Sequence, residues 1–96
     1  MKTSDAITLL NQAHSFPCLY VFKLIGENTP LFYDGVLSAV SKEFGELMHE
    51  EASLSTRESS GGRYLSITLK LEIESAEQVL RLYERFSKVD GLRSMM

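Results

Sequence analysis

Residues 57–73, RESSGGRYLSITLKLEI, decide the fold. From Tyr64 onward the run alternates without exception. Leu65, Ile67, Leu69, Leu71 and Ile73 fall on one side, and Tyr64, Ser66, Thr68, Lys70 and Glu72 on the other. That period of two belongs to a half-buried β-strand, about 30 Å long at about 3.3 Å per residue. Ser59-Ser60-Gly61-Gly62, just before it, poses a choice between a phosphate loop and a hairpin turn. A P-loop lies between a strand and a helix N-terminus and ends in Lys followed by Ser or Thr. This stretch ends in Arg63-Tyr64 and runs into a strand, so its glycines are read as supplying the positive φ angles of a hairpin. The weaker partner strand is 53–57, with Leu54 and Thr56 expected to face inward.

Two helix–strand units flank this hairpin. Downstream, Ser75-Ala76-Glu77-Gln78 reads as a capping box, followed by Val79, Leu82, Tyr83 and Phe86 at i, i+3, i+4 and i+7. Glu77–Arg81 and Glu84–Lys88 lie four apart, which predicts a solvated polar face. Asp90-Gly91 stops this helix, and a short strand closes the sequence from Leu92. Upstream, residues 18–25 read as a strand, with Tyr20, Phe22 and Leu24 on one face and Val21, Lys23 and Ile25 on the wetter one. Gly26-Glu27-Asn28 is expected to break it. Thr29-Pro30 then starts a helix, with a hydroxyl at the N-cap and proline in the first turn. Phe32, Val36, Ala39 and Val40 are its core face, Gly45 its C-cap, and His49-Glu50-Glu51 a polar connection. Before residue 16, Ser4 and Asp5 are expected to cap a short helix or arm carrying Ile7, Leu9 and Leu10.

The order strand–helix–strand–strand–helix–strand, with right-handed crossovers, puts both helices on one side of the sheet. The expected fold is therefore α+β: a ferredoxin-like βαββαβ sandwich over 16–96, with a four-stranded antiparallel sheet and an N-terminal arm over 1–15. One sheet face is sealed by helices; the other carries Lys23, Tyr64, Ser66, Thr68 and Lys70.

Composition narrows the function. Ninety-six residues with 44% apolar and 24% charged side chains make one ordinary globular domain. A formal charge of −3 argues against a nucleic-acid backbone as partner. The open face also offers only Tyr64 for base stacking, with Ser66 and Thr68 where further rings would help. One cysteine allows no internal disulfide, and the N-terminus lacks a signal-peptide apolar stretch, so the expectation is a cytoplasmic protein with no membrane partner. Cys18, His14 and His49 have neither the spacing nor the context of a metal or thiol–imidazole site. Glu43, Glu46, Glu50 and Glu51 read as a solvated acidic patch. No catalytic residue, metal or cofactor is read.

FPCLYVFKLIGEN (16–28), RESSGGRYLSITL (57–69) and YERFSKVDGLRSMM (83–96) resemble the YbeD-like proteins, a bacterial family of unknown function. The chain departs from that family at Pro30, Leu31, Tyr33 and Leu80, and lacks the acidic Asp-x-Pro-Gly loop of ACT domains. The resemblance implies a fold close to the ACT regulatory domains, which bind amino acids or similar effectors and pair through their sheets. It places any effector at the loop after the first strand, on Gly26, Asn28 and Thr29. There, free N–H groups and the positive helix end would attract an anion. Lys23, Tyr64, Ser66 and Thr68 are the expected interface, for a second copy of the chain or a protein partner. The expected function is a regulatory or adaptor module that binds a small metabolite or a protein. The alternatives are a pure protein-interaction module, an enzyme or an RNA-binding domain.

Overall fold

A computed structural model describes residues 2–45 and 53–96. Along the chain run α1 (Thr3–Ala13), β1 (Cys18–Glu27), α2 (Pro30–Phe44), β2 (Ser53–Glu58), β3 (Tyr64–Ile73), α3 (Ala76–Ser87) and β4 (Leu92–Met95). The four strands form one antiparallel sheet in the order β2-β3-β1-β4, the ferredoxin-like arrangement, with the core between the sheet and the helices.

The alternation of β3 is realised along its whole length. Leu65, Ile67, Leu69, Leu71 and Ile73 are buried, facing Phe22 and Leu24 of β1 and the apolar faces of α2 and α3. Phe32, Val36, Ala39 and Val40 of α2 and Val79, Leu82 and Phe86 of α3 complete the core. Both helix starts follow from sequence. The Thr29 hydroxyl accepts from the Phe32 N–H, and the Ser75 hydroxyl accepts from the Gln78 N–H. The Gln78 side chain reaches back one residue further than a capping box requires, accepting from the Glu74 N–H. The hairpin turn closes through Ser59, whose carbonyl accepts from the Gly62 N–H and whose hydroxyl accepts from the Tyr64 N–H. Gly61 and Gly62 there have φ of 89° and 73°, angles that other residues avoid.

Four expectations need correction. Ser4 and Asp5 lie inside α1, whose N-cap is Lys2 with no side-chain bond; the Ser4 carbonyl accepts from the Thr8 hydroxyl. Leu9 is exposed, and only Leu10 of the three apolar residues packs against the core. Gly26 and Glu27 do not break β1, because they pair with Leu65 and Tyr64 of β3. Thr56 sits opposite buried Ile67, yet it is exposed, because β2 is an edge strand and only Leu54 packs against the core.

Candidate functional site

The loop from β1 to α2 is a structural junction. A Cβ on Gly26 would lie 2.5 Å from ring carbons of Phe32, so the glycine makes room for a core aromatic. The N–H groups expected to be free are engaged within the fold. Asn28 N–H donates to the Arg63 carbonyl, Thr29 N–H to the Glu27 carbonyl, and Phe32 N–H to the Thr29 hydroxyl. The Asn28 amide donates to the Gly62 carbonyl at 2.9 Å and to Glu58 Oε1 at 3.1 Å, so it ties this loop to the β2–β3 turn. Beside it lies a hollow of about 390 Å³, lined by Glu27, Asn28, Thr29, Arg63, Tyr64 and Arg93. Arg93 is the extra residue of a bulge in β4 and pairs with Glu27 at 3.0 Å.

The helix-free sheet face is ordered in cross-strand rows. Ser55, Thr68 and Lys23 form one row, with Met96 at its end through two backbone bonds to Lys23. Arg57, Ser66, Ile25 and Ser94 form the next. The face thus has two halves. Toward β4 are Leu19 and Val21, each 51% exposed, and Met96 at 66%. Toward β2 is a basin of about 550 Å³ lined mainly by Lys23, Ser55, Arg57, Ser66 and Thr68. Of the four expected interface residues, Lys23, Ser66 and Thr68 meet in this basin. Tyr64 lies apart from them, at the end of β3, and lines the loop hollow.

Arg57 and Ser55 were legible as partners of this face from the period of two in 53–57, but Leu54 and Thr56 drew attention to the other side. Val21, expected on the wetter face of the strand, is exposed there, and Leu19, which the sequence reading did not assign to a face, joins it. A groove of about 760 Å³ between α1 and α3, lined by Ala6, Ile7, Leu80 and Tyr83 among others, had no signal in the sequence.

The titratable groups elsewhere serve the fold. Glu43 is not a solvated residue: its side chain is 6% exposed and takes Arg81 at 2.9 Å and Arg85 at 3.2 Å. The expected Glu84–Lys88 pair is present at 3.5 Å, whereas Arg81 turns to Glu43. Glu46, His49, Glu50 and Glu51 lie outside the described residues. His14 packs its ring against Tyr20 at 5.0 Å and Phe16 at 5.8 Å. The Tyr20 and Tyr83 hydroxyls meet at 3.3 Å, and burial together with this contact pushes the Tyr83 phenol well above its ordinary value. Cys18 is a partly buried free thiol. Among the described residues no three His, Cys, Asp or Glu side chains converge on a metal position, and no helix is long and apolar enough to cross a membrane.

Solved structures share this ferredoxin-like fold, an ACT domain among them. Protein HP0495 from H. pylori superposes with a TM-score of 0.70 over 86% of this chain and 85% of its own, at 13% identity. The ACT domain from GTP pyrophosphokinase of Chlorobium tepidum superposes with a TM-score of 0.59 over 81% of this chain and 94% of its own, also at 13% identity. The chain belongs to the family described as protein of unknown function DUF493, whose model matches residues 11–96. Its curated relatives include UPF0250 proteins of Shewanella baltica, 30% identical over 89 residues, and Shewanella woodyi, 29% identical over 90. Each alignment covers 93% of this chain and 97% of the relative. The YbeD-like resemblance is thereby confirmed, and its match begins five residues before residue 16.

Proposed function

We propose that the protein is a cytoplasmic regulatory or adaptor module that works by binding, without turnover, and that its working surface is the helix-free sheet face. The observation that supports this is the half-exposed pair Leu19 and Val21, alternate residues of β1 on the same face as Met96. Scattered exposed apolar side chains are ordinary, but these sit together on the sheet beside polar rows, the composition of a docking surface. The occupant is another protein or a second copy of the chain. Affinity capture with tagged wild type and Val21→Lys, and light scattering of both, test the reading. A partner or dimer held by wild type and lost in Val21→Lys supports it. Identical partners and mass for the two proteins overturn it.

A second reading, a small effector at Asn28 and Thr29 beside Gly26, draws support from Arg63 and Arg93, which flank the loop hollow. Calorimetry with a metabolite panel on wild type and Arg63→Gln tests it; a ligand that binds both equally sinks it.

A further inference from the structure

The basin on the β2 side of the open face has features that the docking strip does not explain. Its floor is the pair Ser66 and Thr68 on β3, with Ser55 beside Thr68 on β2. Two cations bracket it diagonally. Lys23 comes from β1 in the Thr68 row, and Arg57 from β2 in the Ser66 row. With strands about 4.8 Å apart and residues about 3.4 Å apart along a strand, their Cα atoms are roughly 12 Å from each other across the floor. Both side chains are long enough to meet a group held over its middle, and both line the basin.

Among the described residues no carboxylate pairs with either of them, whereas Arg81, Arg85, Lys88 and Arg93 each have one within 3.5 Å. Ser55, Ser66 and Thr68 make no side-chain hydrogen bond among the described residues, so their hydroxyls are open to a ligand. The one carboxylate lining the basin, Glu58, accepts from the Asn28 amide. Across the face, Lys23, Arg57 and Lys70 stand against Glu72, while Glu27 is matched by Arg93. In a chain with a formal charge of −3, the described part of this surface thus carries more positive than negative charge.

We infer that the basin between Lys23 and Arg57 binds the phosphate group of a small ligand. A phosphate presents several oxygens in different directions and so uses two opposed cations and three hydroxyl donors together, where a planar carboxylate uses fewer. The basin, about 550 Å³, is wide enough to admit such a group. The site adjoins the apolar strip and stands or falls independently of it.

The test is a titration of the ¹⁵N-labelled protein with inorganic phosphate against chloride at matched ionic strength, in wild type, K23Q/R57Q and Lys23→Arg. Lys23 and Arg57 are both exposed, and a thermal melt confirms that each variant is folded. The expected result is saturable movement of the Ser55, Arg57, Ser66 and Thr68 amides. Binding is weakened at least about tenfold in K23Q/R57Q and kept in Lys23→Arg. No saturation, equal affinity in K23Q/R57Q, or shifts centred on Asn28 and Arg63 overturns the inference. Loss of partner capture in Val21→Lys bears on the docking strip alone, so failure of either proposal is read separately.

Discussion

The Asn28 side chain donates to the Gly62 carbonyl at 2.9 Å, across 34 residues of sequence, and so locks the start of α2 to the β2–β3 turn. Asn28→Ala removes both this bond and the one to Glu58 and leaves the Gly62 carbonyl to water. The expected loss is about 1–2 kcal/mol in a denaturant titration. Amide exchange at Gly62 and Tyr64, both bonded to Ser59, should accelerate more than exchange in α3. Uniform acceleration would show that the bond does not hold the turn.

Gly26 is required by its neighbour. Gly26→Ala puts a methyl group against the Phe32 ring, inside ordinary contact distance, in a strand paired on both sides. Overpacking of this kind costs about 1–3 kcal/mol. Adding Phe32→Leu, which frees the space, should recover part of the loss, so the double variant is more stable than additivity predicts. Strict additivity would contradict the steric account.

Glu43 joins α2 to α3 by holding two arginines at once. Its side chain is nearly buried while Arg81 is 55% exposed, so the expected cost of Glu43→Ala lies between that of a surface pair and a buried one, about 1–2 kcal/mol. Arg81→Ala should cost less, because Arg85 still covers the carboxylate. Thermal melts of the two variants check the order.

Tyr83 sets an alkaline limit. Its phenol is held above the usual 10.0 by burial and by the Tyr20 hydroxyl. The unfolded chain therefore releases this proton first as pH rises. The stabilisation is complete below about pH 10 and declines above it, toward the raised folded value. Tyr83→Phe should flatten the stability curve above pH 10 relative to wild type in urea titrations. An unchanged slope would mean that the group does not titrate between the two states.

What the sequence revealed was local. The β3 alternation, the Ser75 and Thr29 caps and the Gly45 C-cap depend on neighbours within a few residues, and each is found as expected. What it hid depends on distant partners. Gly26 read as a strand breaker because nothing nearby announces that Phe32 needs the space. Asn28 read as a ligand donor because its acceptors lie 30 and 34 residues away. Glu43 read as solvated because its arginines are 38 and 42 residues on, in another helix. The candidate face was half legible. Lys23, Ser66 and Thr68 share the period of β1 and β3, while Arg57 and Ser55 join them only through the pairing of β2 with β3.

The central claim, that the helix-free sheet face is the binding surface, is tested most directly by site-specific photo-crosslinking in the cell. One probe replaces Val21 on that face and another replaces exposed Ser38 on α2, on the opposite side of the molecule. A discrete crosslinked species from position 21 and none from position 38 is the predicted result. Crosslinks from position 38 alone, or none from either, would contradict it.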